Sequence, residues 1–132
     1  MITALDTSAL LAIFKPEPSA HAWLRILEPA AASGPLVISE IVYAELAASF
    51  AQAEALDRHL NALAIELLPS RKATLFAAGQ IFKRYRQAGG ARSNMVPNFL
   101  IGAHAATQAD QLASADRGYL RAHFSGLKLL SI

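Results

Sequence analysis

Short apolar runs alternate with alanine-rich stretches of helical spacing along the whole chain. The runs at 2–5, 36–38, 65–68, 112–114 and 129–132 predict five strands, each bounded by polar or turn-forming residues. The intervening stretches predict a helix opening just after Asp6 and further helices over 18–30, 40–50, 52–63, 70–88 and 97–109. Pro18 and Pro97 suit first helical turns, because proline lacks an N–H that the first turn leaves unused. Ser39 and Ser70 are predicted N-caps, and Gly89 is the predicted stop of the longest helix. Strands alternating with helices imply a parallel sheet covered on both faces, a three-layer α/β/α sandwich. The segment 31–35 and the Gly89-Gly90 pair are loop-sized, so residues 1–132 read as a single domain.

Composition narrows the chemistry. The chain has 132 residues, is 54% hydrophobic and contains no cysteine, which supports a real core and excludes disulfide scaffolds, thiolate metal sites and thiol catalysis. Asp6 interrupts the apolar N-terminus and no basic segment precedes it, so no signal peptide is expected. No membrane span is expected either, since no uncharged stretch approaches the ~18 residues required. The net charge of +2 conceals an asymmetry. Residues 1–66 carry three Lys/Arg against eight Asp/Glu, a net −5, and residues 67–132 carry nine against two, a net +7. A basic half suits a polyanionic partner, and equally suits solvated helix faces.

In a parallel sheet, polar groups just beyond the C-terminal strand ends face a common crevice. Asp6 follows the first strand and Asp116 the fourth, each also a plausible helix cap. Glu45 shares a helix face with Ile41, Val42 and Ser49, where an acid either has donors nearby or reaches water from the rim. Asn98 falls in a first helical turn, where local backbone bonding is the plain alternative. His104, on an otherwise apolar helix, reads as a core or interface histidine, and His21, His59 and His123 lack metal-ligand spacing. Carboxylates gathered at one point repel each other, and a hard cation with a preference for oxygen relieves that repulsion. Such a cation orients and ionises a water and neutralises phosphate charge, the requirements of phosphodiester hydrolysis.

The segments Leu5-Asp6-Thr7-Ser8-Ala9, Val42-Tyr43-Ala44-Glu45-Leu46, Pro97-Asn98-Phe99-Leu100-Ile101-Gly102-Ala103-His104 and Ser114-Ala115-Asp116-Arg117-Gly118 occur in this order. In these segments the chain resembles the PIN-domain ribonucleases, in particular the VapC-type toxins of bacterial toxin–antitoxin pairs. The resemblance implies an acidic quartet that binds Mg²⁺ or Mn²⁺, with Asp6, Glu45 and Asp116 at the first, second and fourth positions. Ser8 and Ser114 match small polar positions beside the acids. The third acidic position is occupied here by Asn98, whose amide oxygen can ligate a cation but brings no charge. That fits either an inactivated form of a nuclease or a chain that carries the amide natively.

What the resemblance implies is a metal-dependent endoribonuclease, cytoplasmic, homodimeric and held by a cognate antitoxin, with RNA as substrate and with products bearing 5′-phosphate and 3′-hydroxyl ends. Arg84, Arg86, Arg92, Arg117 and Arg121 are candidate phosphate contacts. The alternative is a non-catalytic module whose acidic pocket takes an antitoxin peptide. Trp23, Leu24, Leu27, Phe50 and Leu60 either line a groove for such a peptide or pack the core. An aspartyl phosphatase would need an acid at position 8, which is Ser8.

Overall fold

The computed structural model describes residues 1–90, 96–115 and 119–132, without the side chains of Tyr119 and Arg121. Strands β1 (Thr3–Leu5), β2 (Leu36–Ile38), β3 (Ile65–Leu67), β4 (Gln111–Ala113) and β5 (Leu129–Leu130) form one sheet in the order β3-β2-β1-β4-β5, with every pairing parallel. Helices α1 (Thr7–Phe14), α2 (Ala20–Ser33), α3 (Glu40–Ala47), α4 (Ala53–Ala62), α5 (Lys72–Gln87), α6 (Val96–Gln108) and α7 (Tyr119–His123) complete a three-layer α/β/α sandwich. β1, β2 and β4 are buried at every position, as expected of central strands covered on both faces.

Two expected details are corrected. Pro18 precedes α2 rather than sitting in its first turn, because Ser19 is the N-cap. Ser70 does not cap α5. Its N–H donates to Glu40 Oε1 at 2.9 Å, which ties it to α3, and Arg71 takes the cap position without a side-chain bond. Gln108, at the end of α6, compensates by accepting from the Arg71 N–H at 2.9 Å and donating to the Pro69 carbonyl at 3.1 Å. Of the five residues left open between groove and core, Trp23, Leu27 and Leu60 belong to the core. Phe50 packs its ring against Phe14 and His59, and Leu24 is exposed. Two local readings hold. Ser39 Oγ accepts the Val42 N–H at 3.3 Å, and Gly89, at φ 90°, ends α5 in a backbone conformation that side-chain-bearing residues avoid.

α5 and α6 form an antiparallel pair that frames the rest. The end of α6 leads into Asp110, whose N–H donates to the Ile2 carbonyl at 2.8 Å, at the start of β1. A 13-residue helix runs about 20 Å, so the first turn of α6 projects toward the opposite edge, where the strands end. His104, midway along, is buried, and its Nε2 lies 2.7 Å from the Leu68 carbonyl. A carbonyl only accepts, so Nε2 carries the proton.

Burial pushes the His104 pKa below 6.5, against the opposing pull of the Leu68 carbonyl and of Glu40. Burial would raise the Glu40 carboxyl, but the backbone N–H groups of Ser70 and of Glu40 itself outweigh it, and the net shift is below 4.5. Both folded-state values are depressed. The unfolded chain therefore binds more protons as pH falls, first at the histidine and then at the glutamate. Stability should be complete above pH 6.5 and decline as acid titrates His104, with a second decline below pH 4.5. Urea unfolding across this range should show both declines, and His104→Gln should flatten the first while lowering stability at neutral pH.

Candidate acidic site at the sheet edge

β1 carries the chain into Asp6, whose N–H still belongs to the sheet ladder, donating to the Ala113 carbonyl at 2.9 Å. Asp6 is the N-cap of α1, with extended backbone, and its Oδ1 accepts the Thr7 N–H at 2.7 Å. The capping role is therefore real, and it uses one oxygen. Oδ2 accepts from Ser114 Oγ at 2.7 Å and from Ser8 Oγ at 3.2 Å. Ser8 Oγ in turn accepts the Ala115 N–H at 3.1 Å. The two serines expected beside the acid thus bind it directly, one from α1 and one from the end of β4.

Glu45 comes from the second turn of α3 and is exposed at the rim. Its Oε1 accepts from Thr7 Oγ1 at 2.6 Å, a short, charge-assisted bond. Thr7 therefore joins the two acids, its N–H on Asp6 and its hydroxyl on Glu45. The sequence pattern alone does not single it out. The available signal was its place between Asp6 and Ser8 at the start of a helix, with one backbone and one side-chain donor.

Asn98 is exposed in the first turn of α6, the end that projects toward this edge. Asp116, Arg92 and Arg117 lie outside the described residues, as does the Arg121 side chain. Arg84 and Arg86 are exposed in the last turn of α5. Among the described residues no three His, Cys, Asp or Glu side chains group closely enough to hold a metal ion. Asp6 and Glu45 contribute only oxygen, and each carboxylate oxygen has more than one lone pair, so their existing bonds leave capacity for a hard cation.

The fold and the edge cluster together define a parallel α/β sandwich with an acid–hydroxyl site where its central strands end. The family model described as PIN domain matches residues 3–124, and the chain belongs to that family. Among solved structures, a chain of VapBC2 from Rickettsia felis, bound to a DNA fragment from its promoter, is similar with a TM-score of 0.77 at 22% identity, covering 99% of this chain and 98% of that one. VapBC-1 from nontypeable Haemophilus influenzae gives 0.73 at 21%, and DNA-bound VapBC from Salmonella typhimurium 0.69 at 20%, each covering 99% of this chain and 98% of the other. These likenesses concern the fold. No curated protein sequence matches the chain. Among the described residues no helix is long and apolar enough to cross a membrane.

The site's geometry sets a stability expectation. Ser114→Ala removes a buried donor from an ionised acceptor and should cost about 1.5–3 kcal/mol, whereas Thr7→Ala, at the rim, should cost about 1 kcal/mol. Equilibrium unfolding in urea measures both, and the ranking is the sharper part of the expectation.

Proposed function

We infer that this chain is a VapC-type toxin-like protein whose site is built for metal-dependent hydrolysis of RNA, weakened or silenced by Asn98. The observation that carries this reading is the hydrogen-bonded chain from Ser114 and Ser8 through Asp6 and Thr7 to Glu45. PIN domains are generally nucleases, and the fold neighbours named above are toxin–antitoxin complexes. Asp6, Glu45 and Asp116, with the residue at 98, would hold Mg²⁺ or Mn²⁺, which supplies charge neutralisation at the phosphate and an ionised water. Ser8 and Ser114 fix the Asp6 carboxylate in one orientation, and the Thr7 hydroxyl fixes Glu45 relative to it. Arg84, Arg86, Arg92, Arg117 and Arg121 are the proposed phosphate contacts, at the basic end of the chain. A cognate antitoxin, a homodimeric state and a cytoplasmic location complete the proposal.

A second reading has its own observation. Asn98 removes one of the four charges that the family pattern places at the site. An acidic pocket short of one ligand suits the binding of an arginine-bearing antitoxin peptide without a cation, and no catalysis.

The experiment is cleavage of total RNA in Mg²⁺ or Mn²⁺. Asn98→Asp should cleave at least about ten-fold faster than the unaltered chain, the scale on which imperfect ligation lowers activity. Chelation should abolish that cleavage, and Asp6→Asn in the same background should return it to baseline. No cleavage by Asn98→Asp, together with no heat of Mg²⁺ or Mn²⁺ binding, overturns the nuclease reading in favour of the second.

A further inference from the structure

The end of α5 reads Phe82-Lys83-Arg84-Tyr85-Arg86, three cations interleaved with two aromatic rings, and α5 contains no acidic residue. Beside it lies a cleft of about 340 Å³, walled by Ile81, Arg84, Tyr85, Ala88, Ala122 and His123. That volume falls at the lower end of the range for small-molecule sites, ~300–1,000 Å³. Its aromatic wall is built rather than incidental. The Tyr85 ring sits 5.3 Å from Phe99 and 5.6 Å from His123, and Phe99 sits 5.2 Å from His123. Gly90 packs against the Tyr85 ring so closely that a Cβ there would lie 2.4 Å from it, which pins the ring in place. Phe99 is buried and directly follows Asn98. The wall of the cleft and the first turn of α6, which carries Asn98, are therefore one packed unit.

We propose that this cleft is a subsite for one unpaired base of the RNA, with the α5 cations on its phosphates. This rests on the RNA reading above. The physical basis is that an aromatic-lined slot accepts any base face, while a paired base cannot leave its stack to enter it. Arg84 supplies the backbone charge that such a slot needs, and the absence of carboxylates along α5 leaves that charge uncancelled on its own helix.

The test uses the unaltered chain, in chelator, with a fluorescent single-stranded RNA oligomer and a duplex RNA of equal length. Ala122→Phe, from α7, and Ala88→Leu, from the end of α5, each fill the cleft from an exposed position, and thermal unfolding checks that they fold. Each should weaken single-strand binding about ten-fold, the scale of one lost base contact, and leave duplex binding unchanged. Arg84→Ala should weaken both and lower the single-strand salt slope by about 0.7. An oligomer carrying abasic sites should bind the unaltered chain as weakly as the normal oligomer binds the filled variants. The proposal is overturned if folded, filled variants keep full single-strand affinity, if single-strand and duplex binding fall together, or if no RNA binds. Cleavage by Asn98→Asp with binding that ignores the filled cleft removes this inference alone. Cleft-dependent binding with no cleavage by Asn98→Asp removes the nuclease reading and leaves the cleft.

Discussion

The Asp6 carboxylate stands where a fully buried central strand stops, and a charge at that depth must be met by donors. Three groups supply them: the Thr7 N–H, the Ser8 hydroxyl and the Ser114 hydroxyl. They come from the start of α1 and the end of β4, so satisfying one carboxylate ties two neighbouring strands and a helix at a common point. Ser8 extends the tie by accepting the Ala115 N–H, which holds the chain as it leaves β4. Thr7 extends it in the other direction, to Glu45 on α3. Electrostatic need at one atom thus organises the sheet edge.

Most of the fold was legible because β1, β2 and β4 are short, buried and apolar but for Thr3 and Gln111, and no surface requirement blurs their signal. Ser39 and Gly89 were legible for local reasons, a side-chain acceptor at a helix start and a left-handed backbone at a helix end. Ser70 misled because its surroundings decide its role. Glu40, thirty residues earlier, claims its N–H, and Gln108 from α6 closes the start of α5 instead. Such partners are distant in sequence, and local propensity carries no trace of them. The five-residue α7 escaped notice because it is too short to show a helical period.

At the site, Asp6, Ser8 and Ser114 meet at one edge, since strand-end positions in a parallel sheet converge by topology. Glu45 could be assigned to a helix face but not to a partner. Its partner, Thr7, is fixed by the packing of α1 on α3, a tertiary relation. His104 was legible as a core histidine, but its bond to the Leu68 carbonyl was not, and that bond is what fastens α6 across the segment leaving β3.

Position 98 separates charge from shape. Asn98 is exposed, while Phe99, Ile101, Ala103, His104 and Ala105 behind it are buried, so the packing of α6 is indifferent to acid or amide there. An acid in a helix's first turn gains about 0.3–1 kcal/mol from the helix dipole. It also adds a negative charge at the end of α6 that projects toward the edge where Asp6 and Glu45 stand, and repulsion among like charges opposes that gain. The two contributions oppose each other in the folded chain, so the exchange leaves stability nearly where it was. They do not oppose each other toward a divalent cation, for which every carboxylate adds attraction and an amide adds little. On the proposed reading, a single exposed residue therefore tunes how strongly the edge attracts a cation while the sandwich and the Asp6 network stay as they are. On the proposed reading, the same fold then serves hydrolysis with an acid at 98 and binding alone with an amide.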